Sequence, residues 1–306
     1  MTRRNILQDF CITVGYRCNF RCKHCVVADK KQVRLSSSEI KMLSEFGKVW
    51  TIKNVLFVGG EPTLYTEDIN TILSGFPSSN RPRVKITTNG HFAVSLSGAS
   101  AALNKFKYLD SVQLSYDRYH KKFLALDNVA YLFQACKELK KDFSIILTIQ
   151  SPMDLTLIEQ FRGMKGISVG VQKVHPTPTL NVECLRDIYP DFEPAVLSKR
   201  CPNLGKMVYL CGEGFSTCCS YLTRGALAGE VIHSDIPAHK ESWFYKLISK
   251  NSFESIADKL SVVGGKMRPE YSSPCVLCEH IFSTAAKAGN LIIKEAPNES
   301  RREKRE

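Results

Sequence analysis

Six short β-rich runs recur through the first 175 residues with helical patterns between them, and this alternation constrains the chain more than any other feature. The runs cover 10–15, 54–58, 84–88, 111–115, 144–150 and 167–171, each followed by a turn signal. Between them, Ser36-Ser37-Ser38-Glu39 reads as a capping box that opens a helix. Residues 127–140 set Val129, Leu132, Phe133, Cys136 and Leu139 at helical spacing. Repeated strand–helix–strand units predict a parallel sheet with right-handed crossovers. Six units fall short of the eight that close a barrel. The expected fold is α/β, a partial (β/α)6 barrel over residues 1–175. Beyond it, 176–200 reads as a linker with a short helix, 206–210 and 215–219 as a β-hairpin, and 242–260 as helical. Residues 201–285 form a small cysteine-rich unit not expected to hold together on apolar burial alone. Residues 286–306 are expected to be a flexible tail.

The chain of 306 residues carries twelve cysteines. No apolar run approaches ~18 residues, and the N-terminus lacks the apolar core of a secretory signal, so the cytoplasm is the expected location and no membrane partner is expected. In a reducing compartment metal or redox chemistry explains clustered cysteines better than disulfides do. Cys11 and Cys136 lie in apolar patterns and read as core. The others cluster at 18/22/25, at 201/211/218/219 and at 275/278, with Cys184 apart. The formal charge of +12 favours an anionic partner. No basic stripe with interleaved aromatics accompanies it, so nucleic acid is not the expected one.

Cys18, Cys22 and Cys25 directly follow the first strand. On a helix they would form a stripe about 10 Å long, too stretched for one compact metal centre. Wrapped as a loop, the same spacing brings three thiolates to one iron–sulfur cluster and leaves a fourth iron open. Arg17, Arg21 and Lys23 flank the loop, and their charge is expected to favour thiolate.

This Cx3Cx2C loop resembles the signature of the radical S-adenosylmethionine (SAM) superfamily. The resemblance implies a [4Fe-4S] cluster on Cys18, Cys22 and Cys25, with SAM chelating its open iron. His24 stands at the position that is usually aromatic in that family and packs near the SAM adenine. Gly59-Gly60-Glu61 matches the family's GGE motif, which binds the methionine amino group; glycines there would let backbone carbonyls approach a ligand, and the carboxylate would accept from the ammonium. Thr87-Thr88-Asn89-Gly90 resembles the TNG turn, with a structural role. Ser115 and Asp117 resemble the S-x-D motif, whose serine contacts SAM. Gln150 and Gln172 end strands at the same mouth, and Gln150 is counted with the cofactor-binding set. His120 and His175 are candidate proton acceptors or substrate contacts.

Cys201, Cys219, Cys275 and Cys278 resemble the opening of the SPASM cysteine pattern, here truncated to the twitch form that holds one auxiliary [4Fe-4S] cluster. Two alternatives remain open: a structural zinc on the same four residues, or replacement of Cys201 or Cys219 by Cys211 or Cys218. A thiol among Cys184, Cys211 and Cys218 left free could return a hydrogen atom to a substrate radical.

The resemblance implies an enzyme that cleaves SAM to a 5′-deoxyadenosyl radical, fed by an external one-electron reductant of the flavodoxin or ferredoxin type. The expected reaction is oxidative modification of a ribosomal precursor peptide; dehydrogenation of a small molecule such as an aminocyclitol or sugar is the alternative. The chain begins almost at its first strand, so a fused N-terminal peptide-recognition domain is not expected. A non-catalytic iron–sulfur carrier or regulator is the third reading, and it has no use for Gly59, Gly60, Glu61 and Ser115.

Overall fold

The alternation produces the sheet it predicts. In the computed structural model, which describes residues 5–27, 33–177, 179–262 and 266–291, six strands run parallel, each beside the next. They are β1 (Asn5–Thr13), β2 (Trp50–Val58), β3 (Arg83–Thr88), β4 (Ser111–Ser115), β5 (Asp142–Ile149) and β6 (Ser168–Lys173). Helices α1 (Ser37–Val49), α2 (Thr66–Ser74), α3 (Leu96–Asn104) and α4 (Leu126–Glu138) fill the first crossovers. The β5–β6 crossover carries instead a 3₁₀ run, Pro152–Phe161. Ser36 caps α1 as read: its side chain accepts from the Glu39 amide, and the Glu39 carboxylate accepts from the Ser36 amide at 2.7 Å.

Alternate residues of a strand share a face. Phe10 and Ile12, Val55 and Phe57, Ile86 and Val112 form the buried face of the sheet and share one core with Leu43, Ile69, Leu103 and Leu132 of the helices. The strand ends at the C-terminal side of this sheet therefore sit on a rigid platform, and the loops leaving them carry the functional residues.

The expected boundary at residue 201 is not an end of the sheet. β7 (Lys206–Leu210) pairs in parallel with β1, and β8 (Gly214–Ser216) pairs antiparallel with β7, giving the order β6-β5-β4-β3-β2-β1-β7-β8. Without β7, β1 would present an unpaired edge. β6 and β8 lie at opposite ends and do not pair, so the barrel is open.

The remainder consists of α5 (Ala228–Val231), α6 (Ile236–Glu241), α7 (Trp243–Lys250), α8 (Phe253–Lys259) and α9 (Pro274–Lys287). The single helical stretch read over 242–260 is two helices, because Ser252 caps α8 by accepting from the Ser255 amide. These helices possess an apolar core of their own, built on Phe244, Ile248, Phe253, Ile256, Leu277 and Phe282. That corrects the expectation of thin apolar burial: in sequence those residues are dispersed over three separate helices and show no long periodic run. The tail expected over 286–306 lies outside the described residues from 292 onward. No helix among the described residues is long and apolar enough to cross a membrane.

Candidate iron–sulfur and cofactor site

The loop after β1 is laced to the loop after β2. The Gly60 amide donates to the Gly15 carbonyl at 2.8 Å and the Glu61 amide to the Arg17 carbonyl at 2.9 Å. A Cβ on Gly59 would lie 2.3 Å from the Gly15 oxygen, and one on Gly60 2.1 Å from the Arg17 oxygen; Gly59 also has φ +143°. The glycines are thus required for contact between the two loops, a different reason from close approach to a ligand.

Glu61 is 1% exposed. Its carboxylate accepts from the Thr63 amide and hydroxyl (3.1 and 2.7 Å), the Thr88 hydroxyl (2.7 Å) and the Asn89 amide (2.8 Å). Four protein donors reach the group expected to receive the SAM ammonium, and the carboxylate ties the ends of β2 and β3 together. What the Gly59–Glu61 segment leaves for a ligand is backbone carbonyl. Asn89 extends the tie to the cysteine loop, donating through Nδ2 to Asn19 Oδ1 (2.7 Å) and Cys18 Sγ (3.5 Å). Sequence reading left Asn89 inside a structural turn; its place in the TNG triplet was the available signal.

Asp117 is wholly buried. It accepts from the Tyr119 and His120 amides (2.8 and 3.0 Å) and from His120 Nδ1 at 2.9 Å, with His24 Nε2 at 3.4 Å. Burial alone would raise its pKa, but the hydrogen bonds from His120 and His24 prevail and hold the carboxyl well below the usual range. Asp117 is therefore a clamp for two imidazoles and leaves no free oxygen for a cofactor. His24 stacks on Tyr119 with ring centroids 4.3 Å apart, and its Nδ1 is buried without a partner. Tyr119 in turn donates to Gln150 Oε1, so Gln150 supports the stack from behind. The Ser115 hydroxyl makes no hydrogen bond among the described residues and stays available.

Burial, then the charges of Asp117, Cys25 and Cys18, push Cys22 up to about 12, and burial likewise raises Cys18. Metal binding at this loop must displace protons, and the metal supplies the compensating charge.

Cys201, Cys218, Cys219, Cys275 and Cys278 line one cavity of about 360 Å³. Cys275 and Cys278 face it from the first turn of α9, one helical turn apart. Asn203 Nδ2 donates to Cys219 Sγ at 2.8 Å. Cys211 is elsewhere: it is wholly buried in the main core, where burial and then Glu39 and Glu213 raise its pKa to about 12. Cys218 does reach the cavity, with Sγ 3.1 Å from Ser220 Oγ. Cys184 packs with Tyr119 and Tyr189 in a third apolar cluster that Cys22 adjoins. Thiolates on one zinc with 2.3 Å bonds would stand roughly 3.8 Å apart. Among the described residues, the His, Cys, Asp and Glu groups that bring three ligand atoms within 4.8 Å of one another are His24, Asp117 and His120, and no trio of cysteines does so.

A second cavity of about 450 Å³ touches Val26, one residue past Cys25, and reaches Cys219 and Cys275. His175 lines it, whereas His120 is held by Asp117. Gln172 donates to Thr148 Oγ1 at 2.9 Å.

The Radical SAM superfamily sequence model matches residues 12–191, more than half of the chain. The chain belongs to the radical SAM superfamily. Membership implies SAM and a [4Fe-4S] cluster, and the three-cysteine loop with its open flank fits both. Among curated radical SAM relatives, a probable GTP 3′,8-cyclase from Sulfolobus acidocaldarius is 33% identical over 94 residues, 30% of each chain. One from Sulfurisphaera tokodaii is 34% identical over 86 residues, 28% of this chain and 27% of the relative. The match thus spans less than a third of those relatives' length. Among solved structures, anSMEcpe with bound AdoMet and a Cp18Cys peptide aligns over 92% of this chain and 99% of its own, at 14% identity and TM-score 0.49. Methylornithine synthase aligns over 61% and 59% at 16% identity and TM-score 0.46.

Proposed function

We propose that this enzyme carries out a two-electron oxidation at a carbon of a peptide, using a second four-iron cluster beside the radical site. The observation that carries the reading is a cavity lined both by Val26, one residue past Cys25, and by Cys219 and Cys275. When bound, the first cluster and SAM supply a 5′-deoxyadenosyl radical that removes one hydrogen atom from the substrate. A cluster on Cys201, Cys219, Cys275 and Cys278 would accept the second electron, while a proton leaves to solvent. With four thiolates in place no iron is open to substrate, which suits electron transfer. A one-electron reductant of the flavodoxin or ferredoxin type starts each cycle.

The protein's part is positional. Glu61 and Asn89 hold the first loop, Asp117 sets the His24 and His120 rings, and the Tyr119–Gln150 pair backs His24. Lys121, Lys122 and Lys173 sit at or just beyond the ends of β4 and β6, a basic rim suited to an anionic chain. β6 is exposed along almost its whole length at the open end of the sheet, leaving room for an extended substrate. The test is anaerobic: reconstituted, reduced protein should form 5′-deoxyadenosine from SAM, and the rate should rise with a peptide substrate whose product is lighter by two hydrogens. A product of unchanged mass carrying solvent deuterium at carbon would replace oxidation with epimerisation.

A further inference from the structure

The cavity that Val26, Cys219 and Cys275 line carries on its wall a buried donor with no partner among the described residues. It is Nη1 of Arg224, a half-buried residue in the segment just after the turn Tyr221–Thr223. A guanidinium stays charged at any physiological pH and offers donors in a fixed fork. A buried donor of this kind left unpaired costs free energy, more so when it is charged. Glu279 lines the same cavity without supplying the missing acceptor. Were Arg224 there only for stability, a pairing with Glu279 would have been the simplest arrangement. Instead a cation and an acid share a cavity unpaired. A doubly charged phosphate would be repelled by Glu279; a carboxylate carries one charge and matches the fork with two parallel hydrogen bonds.

We infer that Arg224 anchors a carboxylate of the substrate, so that the group acted upon is an acidic side chain or the carboxyl end of a peptide. Glu279 then faces a neighbouring N–H of the same ligand. The inference rests on the cavity being the substrate site, and it adds to that reading the chemical class recognised there.

The test uses holoenzyme reconstituted with iron and sulfide, SAM present, and two matched probes: acetyl-Ala-Glu-Ala-amide and acetyl-Ala-Gln-Ala-amide, measured by titration calorimetry at constant ionic strength. The glutamate peptide should bind about tenfold more tightly. R224Q should abolish that preference. R224K, a smaller change that keeps the charge and loses the fork, should retain part of it. Equal binding of the two peptides, no binding of either, or a preference that survives in R224Q overturns the inference. Basal 5′-deoxyadenosine formation without peptide is measured on the unmodified protein. Its absence from the unmodified protein would defeat the radical reading, whereas its presence with unaltered selectivity in R224Q defeats the carboxylate anchor alone.

Discussion

The two cysteine groups reach similar ends by opposite routes. Cys18, Cys22 and Cys25 fall within eight residues on one loop, steadied by neighbours from the ends of β2 and β3. The second group is gathered from three separate stretches, the latest being the first turn of α9. A local group needs a strand end and a turn; a dispersed group needs the whole helical unit to fold. Failure should therefore be confined in the first case and spread in the second.

The largest effect is expected from C18A/C22A/C25A. 5′-Deoxyadenosine formation should vanish, while iron falls from about eight per chain to about half and the C-terminal unit stays protected in hydrogen exchange. Residual cleavage of SAM in this variant would refute the first site. Next, C275A/C278A should also lose half the iron, keep basal SAM cleavage, and lose amide protection through α7–α9. Full protection there would mean that the apolar core around Phe244 and Phe282 holds the unit by itself. Four irons and one zinc in the unmodified protein would defeat the second cluster and spare the first.

E61A tests the lacing between loops. Four donors would lose their acceptor, and denaturant unfolding of the apo chain should show a loss of about 3 kcal/mol. A change under about 0.5 kcal/mol would show that the tie is dispensable.

The smallest effect concerns pH in the second region. His239 is wholly buried. Its Nε2 accepts from the Thr217 amide at 3.0 Å, and its Nδ1 lies 3.1 Å from His233 Nδ1. Burial, then the charges of His233 and Lys240, lower it to about 4, and burial lowers His233 as well. Between the ordinary histidine value and about 4 the unfolded chain binds more protons than the folded one. Stability should thus be full above pH 6.5 and fall as pH drops toward 4, by about 2 kcal/mol. H239Q should flatten that slope; an unchanged slope would place the titration elsewhere.

Much was legible beforehand because it is local. The six strands, the capping box at Ser36 and the hairpin at 206–216 follow from periodicity and turn chemistry over a few residues. The same holds for Cys18, Cys22 and Cys25, since eight residues after a strand leave a chain few ways to dispose three thiols. Motif resemblance likewise singled out Gly59, Gly60 and Glu61, and the structure adds a part they play within the protein itself. The glycines admit the neighbouring loop, and the carboxylate is consumed by Thr63, Thr88 and Asn89.

What sequence alone determined, then, is the parallel α/β plan and the gathering of Cys18, Cys22 and Cys25 on one loop, both governed by short-range pattern. Tertiary structure decided the rest: that β7 closes the edge of β1, that Cys218 joins the cavity lined by Cys201, Cys219, Cys275 and Cys278 while Cys211 retires into the main core, and that Arg224 Nη1 is buried without a partner among the described residues. These depend on which distant segments pack together, and burial of apolar surface is non-directional. A residue's own neighbourhood in the chain therefore carries no record of the partner that packing brings to it.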